Sequence, residues 1–184
     1  MNGRRRLIGS FTHGSMANAL PQAMGAQAAD RDRQVVALAG DGGLAMLLGE
    51  LLTLRQQRLP VKVVVFNNRA LSFVELEMKA AGIVTYATEL LDPDFAAIAE
   101  AAGLFAARVD TDDQLEAAVR GALAHNGPAL VDVRTARQEL SLPPKLTYGQ
   151  IKGFTLYATR TILSGNADEI IELAHTNLRQ LDLE

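Results

Sequence analysis

Apolar positions along this chain alternate between two rhythms. Gln34 to Ala39 (Q-V-V-A-L-A), Val61 to Phe66 (V-K-V-V-V-F), Phe105 to Val109 and Ala129 to Arg134 (A-L-V-D-V-R) are short runs, apolar nearly throughout. Such runs read as strands buried on both faces. Arg6 to Ser10 is a further short strand candidate. Between them the spacing turns helical. Asn18 to Ala29 is alanine-rich, with Pro21 acceptable only in its first turn, and Ala45 to Arg58 sets Met46, Leu47, Leu51 and Leu54 on one predicted buried face. Ser72 to Ala81, Asp94 to Ala102 and a helix capped by Thr111 and running to His125 complete the alternation, while Gly82 to Leu91 reads as irregular. Strands separated by helices predict an α/β fold: a doubly wound, mostly parallel sheet with helices on both faces. Past Arg134 the rhythm changes. Pro143-Pro144 marks a break, and two helical stretches, 150–163 and 167–181, form a C-terminal helical tail. The expected division is an α/β domain over 1–136 and a tail over 137–184.

Composition narrows the function classes. The 184 residues can bury one substantial core. The net charge of −3 gives no basic surface for nucleic acid, and Arg4-Arg5-Arg6 reads as a solvated chain end. With no cysteine, disulfides, thiolate chemistry and zinc-thiolate sites are excluded. No apolar run approaches the roughly 20 residues of a spanning helix. No G-x-x-x-x-G-K-[ST] and no G-x-G-x-x-G is present, so the common phosphate loops are absent.

What stands out is Gly40-Asp41-Gly42, with Gly43 next, and then Asn67-Asn68 after the 24 residues that follow Gly42. Each half ends a predicted strand, and ligands of parallel sheets bind beyond the carboxyl ends of strands. Gly40, Gly42 and Gly43 predict a tight turn and close backbone approach, with a helix starting near Leu44 aimed at an anion. Asp41 within that turn would repel a phosphate unless a cation lay between them. Asp41, the Asn68 side-chain oxygen and the Ala70 carbonyl then supply hard oxygens, and two diphosphate oxygens and a water complete the six that Mg2+ prefers. Asn67 is left between a bond to the local loop and ligand contact.

The paired motif resembles the cofactor motif of thiamine diphosphate enzymes. His13-Gly14-Ser15-Met16-Ala17, before the alanine-rich helix, is similar to their segment around the aminopyrimidine. The resemblance implies that Gly14, Ser15 and Met16 contact the pyrimidine end, with Met16 as the wedge that bends the cofactor. Leu71 to Lys79, Lys152 to Tyr157 and Ser164 to Asn177 are similar to the pyruvate oxidase branch, closest to bacterial pyruvate dehydrogenase of the quinone type. That implies a chain forming the C-terminal third of a three-domain enzyme, with Met1 an internal methionine. The pyrimidine-binding domain, which carries the activating glutamate, and the FAD domain would lie elsewhere, so the chain alone is expected to lack turnover. It also implies pyruvate as substrate, a quinone as electron acceptor, a homotetramer, and Phe73, Val74 and Glu77 facing substrate and flavin as the catalytic set. The implied location is the cytoplasm, with the tail in reversible contact with the membrane. Its last helix, however, is acidic and lacks tryptophan, which favours packing on its own enzyme. Two alternatives remain: an acetolactate synthase-like carboligase or non-oxidative 2-oxo acid decarboxylase, and a non-catalytic diphosphate-binding interaction module.

Overall fold

In the computed structural model, which describes residues 5–137 and 147–181, the chain forms two compact units. The first joins residues 1–67 to 92–135, and the second joins 68–91 to 136–184. Pro143-Pro144 lies outside the described residues.

The first unit is built on four strands: β1 (Val36–Gly40), β2 (Lys62–Asn67), β3 (Phe105–Val109) and β4 (Ala129–Arg134). They lie in the order β1-β2-β4-β3, and every pair is parallel. The expected α/β class with a parallel sheet is therefore what the chain adopts. The helices of this unit are α1 (Ala19–Ala29), entered through a 3-10 turn at Met16–Asn18, then α2 (Asp41–Met46), α3 (Glu50–Gln56), α5 (Phe95–Ala101) and α6 (Asp112–Ala124). One face of the sheet contributes Ala37, Ala39, Val63, Val65 and Leu130 to a core closed by Leu20, Leu44, Leu51, Leu54, Phe95 and Ala99. The other face packs Val109, Ala129 and Val131 against Ala122 of α6. That second cover does not reach β1, where Leu38 remains 58% exposed, and Val36 and Phe66 are exposed beside it.

Two expected elements differ. Leu7 and Ile8 are exposed and no strand forms at 6–10. An apolar run becomes a strand only when a neighbour accepts its backbone groups, and β1 is an edge of the sheet. The single helix expected over Ala45 to Arg58 is two, α2 and α3. At the junction the amides of Leu47, Glu50, Leu51 and Leu52 donate to carbonyls three residues back, at 3.0–3.2 Å. This tighter winding shifts the phase of the apolar stripe. Leu51 and Leu54 are buried as expected, whereas Met46 and Leu47 are exposed.

The second unit holds α4 (Ser72–Ala80), α7 (Tyr148–Leu163) and α8 (Ala167–Leu181). Its centre is polar. Glu75 and Lys79 of α4, four residues apart and both buried, pair at 3.5 Å. Thr88 donates to Glu75 at 2.8 Å, Arg137 lies 3.4 Å from the same carboxylate, and the Tyr157 hydroxyl donates to Glu169 at 2.6 Å. Burial, then the bond to Glu169, pushes the Tyr157 ionisation well up, so it is a neutral donor here. A buried carboxylate is tolerated only with such partners. Through Glu169, α8 packs on its own unit, and no helix among the described residues is long and apolar enough to cross a membrane.

Candidate functional site

The β1–β2 register ends with Gly40 opposite Phe66. One step on, Asp41 opens α2 while Asn67 closes β2. The two halves of the motif thus start from adjacent carboxyl ends, as the strand pattern predicts.

Asp41 is only 4% exposed, and its Oδ1 accepts the Gly42 N–H at 2.7 Å. The helix begins at Asp41 rather than near Leu44, so Gly42 and Gly43 sit inside its first turn. None of Gly40, Gly42 and Gly43 has a positive φ, which corrects the expectation of a glycine-specific turn. Gly43 is needed for space instead. A Cβ there would lie 2.5 Å from the Met16 carbonyl oxygen, a backbone atom that cannot swing away. The upstream segment is thereby seated directly on the motif helix. Replacing Gly43 with alanine is expected to push Met16 off α2 and to weaken cofactor binding by about tenfold, about 1.4 kcal/mol. Gly25→Ala, with nothing within 4 Å of its Cβ, is the control. Equal affinities in the two variants would refute the steric role.

Upstream, Gly14 takes φ +60° and its N–H donates to Ser10 O at 2.8 Å, while the Ser15 N–H donates to Ser10 Oγ at 3.3 Å. The Met16 side chain is 49% exposed, so it is not core filler. With Ala19, Leu20, Ala39, Gly43 and Leu44 it lines a narrow crease where this segment meets α2.

Asn67 is buried, at 1% exposure, and its amide NH2 is directed into the sheet rather than to the local loop. Its Nδ2 donates to Asp132 Oδ1 at 3.0 Å, and its backbone carbonyl accepts from Thr135 at 3.0 Å. Asp132, fully buried in β4, also takes the Phe95 N–H on Oδ2 at 3.2 Å. Burial pushes its carboxyl up, against the opposing pull of the Asn67 and Phe95 hydrogen bonds and the Arg134 and Arg108 charges. Asn67 Oδ1 has no hydrogen-bond partner among the described residues. Sequence reading passed over Asp132. The available signal was a lone acid inside an otherwise apolar strand.

In the second unit, Asn68 Oδ1 accepts the Ala70 N–H at 3.1 Å across Arg69 at φ +61°, and its Nδ2 donates to Ser72 Oγ. A carbonyl oxygen carries two lone pairs, so this turn bond leaves one for a cation. Ala70 is buried and forms a bridge with Glu89, flanked by the Leu71 N–H to Thr88 O and Leu90 N–H to Arg69 O bonds, both 2.9 Å. The Ala70 carbonyl has a Ser72 hydroxyl at 3.5 Å. Phe73 (76% exposed), Val74 and Glu77 are all exposed on α4, away from its buried Glu75 and Lys79.

The donor chemistry fits a hard divalent cation: one carboxylate, one amide oxygen and one backbone carbonyl. Among the described residues no three His, Cys, Asp or Glu cluster. The Asn67 oxygen, buried without a partner among the described residues, suits a ligand that brings a hydrogen-bond donor. Residues 1–133 match the family model of the thiamine pyrophosphate enzyme C-terminal TPP-binding domain. The chain belongs to this family.

Similarity to individual thiamine pyrophosphate enzymes agrees. The chain is 35% identical to the putative thiamine pyrophosphate-containing protein YdaP of Bacillus subtilis (strain 168), over 94% of this chain and 30% of that one. It is 37% identical to the acetolactate synthase large subunit of Parasynechococcus marenigrum (strain WH8102), over 77% of this chain and 24% of that one. Among solved structures, the thiamine diphosphate-dependent 4-hydroxybenzoylformate decarboxylase of Rhodococcus jostii RHA1 superposes with a TM-score of 0.63 at 32% identity, covering 67% of this chain and 24% of that one. The chain thus spans a third or less of these relatives.

Proposed function

We propose that this domain binds thiamine diphosphate through Mg2+, with Asp41, Asn68 and the Ala70 carbonyl as metal ligands and Gly14 to Met16 at the pyrimidine end. When bound, the cofactor supplies the stabilised carbanion chemistry of 2-oxo acid decarboxylation. The residues of this chain hold and orient it. Asp41 provides the negative charge that retains the cation, the first turn of α2 offers backbone N–H groups to the diphosphate, and the exposed face of α4 presents Phe73, Val74 and Glu77 toward substrate.

For the whole protein we propose a pyruvate:quinone oxidoreductase that uses FAD and releases acetate, working as a homo-oligomer. The choice over its rival rests on the resemblance of Leu71 to Lys79 and of the tail to the pyruvate oxidase branch. The similarity to YdaP covers 94% of the chain and so includes most of that tail, whereas the match to the Parasynechococcus marenigrum acetolactate synthase covers 77%. The tail-borne Glu169 belongs to the same buried network as Glu75 of α4. A tail built into the helix that presents the substrate-facing residues suits the oxidase reading.

The second reading, a carboligase of the acetolactate synthase type, is favoured by the names of the other relatives. Anaerobic mixing of pyruvate with the intact polypeptide that contains this chain distinguishes the two. Bleaching of flavin absorbance with formation of acetate is expected. Acetolactate as the product, without flavin reduction, would give the rival the case. The 184 residues alone are expected to release no CO2 from pyruvate.

A further inference from the structure

The metal–diphosphate reading leaves one buried pair unused. Asp132 stands in β4, outside both halves of the motif, and is fully buried; Asn67, the last residue of β2, is 1% exposed. A carboxylate only accepts hydrogen bonds. Asn67 must therefore turn its NH2 toward Asp132, and the 3.0 Å Nδ2 to Oδ1 bond shows it doing so. The second carboxylate oxygen takes the Phe95 N–H at 3.2 Å, which fixes the acid to the start of α5 and stops it rotating to suit the amide. The consequence falls on the other end of Asn67. Its Oδ1 is forced away from Asp132 and is left buried without a partner among the described residues. An unmade bond at a buried acceptor is costly, and such an atom calls for a donor that the folded chain does not supply. Its place in the sheet indicates which donor. The β1–β2 register ends at Gly40 opposite Phe66, so the next residues on these two adjacent strands are Asp41 and Asn67. An orphaned acceptor thus stands one strand away from the buried acid of the motif.

We propose that Asp132 is a positioning residue that sets the polarity of the Asn67 amide, and that Asn67 Oδ1 thereby accepts a hydrogen bond from a water coordinated to the divalent cation of the bound diphosphate complex. The pair selects a hydrated cation over a bare anion, because a carbonyl oxygen attracts the hydrogens of a metal-bound water and repels a phosphate oxygen. Asn67 stands beside the metal ligand Asn68 in sequence but acts differently, on the hydration shell of the cation and not on the cation itself.

Asp132→Asn inverts the amide and spares the fold. The new side chain still accepts the Phe95 N–H through its oxygen and offers an NH2 to Asn67, whose amide then flips to accept it. All buried bonds are kept, and Asn67 presents an NH2 where Oδ1 was. In the intact polypeptide, titrated with thiamine diphosphate at fixed Mg2+ and with Mg2+ at fixed thiamine diphosphate, we expect at least tenfold weaker binding in both titrations. The melting temperature without ligands should stay within about 2 °C of the parent. The exchange Asn67→Asp with Asp132→Asn restores an acceptor at 67 and should recover affinity to within about threefold, which a merely structural role for Asp132 would not predict. A folded Asp132→Asn protein with parental affinities overturns the proposal. Should that variant fail to fold, Asn67→Ala decides, with tenfold weaker binding supporting the proposal and unchanged binding overturning it. A parent that takes up no thiamine diphosphate with Mg2+ overturns the metal–diphosphate reading itself, and this proposal with it.

Discussion

Asp41→Ala is expected to abolish Mg2+-dependent binding of thiamine diphosphate by the intact polypeptide, weakening it by at least about 100-fold, or about 2.7 kcal/mol. The sign of the effect is the test. Asp41 sits in the first turn of α2, where the backbone N–H groups already favour an anion. If the diphosphate lay directly on that helix, the carboxylate would repel it, and its removal would tighten binding. If a cation joins the two, removal deletes the one anionic protein ligand, and the remaining amide and carbonyl oxygens do not replace its charge. Asp41 is buried, where an acid in a first helical turn contributes up to about 2 kcal/mol, so the melting temperature of the ligand-free variant is followed separately from binding. Calorimetric titration with and without chelator separates the outcomes. Tighter or unchanged binding in the variant would remove Mg2+ from the site.

The fold was legible where local rules suffice. Four apolar runs became four parallel strands, and Thr111 caps α6 as predicted, closing a capping box with Gln114. Spacing alone also brought out Asp41 and Asn68. What sequence reading missed depends on distant partners. The 6–10 run had apolar residues but nothing to pair with. Glu75 and Lys79 stand four apart and look like a solvated helix pair, yet both are buried because Thr88, Arg137 and Glu169 complete them. Asp132 matters through Asn67 and Phe95, 65 and 37 residues away along the chain. The need for Gly43 comes from the Met16 carbonyl, which no local pattern reveals.

The same steric logic gives the largest expected effect on stability, at Gly153 in the middle of α7. A Cβ there would lie 1.7 Å from the Ala80 carbonyl oxygen and 2.6 Å from its carbon, at the end of α4. Both are backbone atoms, so only separation of the two helices relieves the clash. Arg160, two turns along α7, donates to Gly82 O at 2.7 Å, and Leu156 packs where a Gly82 side chain would be, so separation also strains these contacts. Two effects oppose each other in Gly153→Ala. Helix propensity favours alanine by about 1 kcal/mol. Overpacking costs about 1–3 kcal/mol where side chains can adjust, and more where they cannot. Overpacking wins here, and a net loss of about 3 kcal/mol is expected from denaturant unfolding, with faster amide exchange along α7. Gly149→Ala isolates the propensity term, because the nearest atom to a Cβ there is Thr147 Oγ1 at 4.0 Å. That variant should be as stable as the parent or slightly more so. If both alanines stabilise the chain, α4 and α7 are not in the contact described. If only Gly153→Ala destabilises it, Gly153 is retained because it lets two backbones touch, and the helix that carries Phe73, Val74 and Glu77 is held in place by the tail.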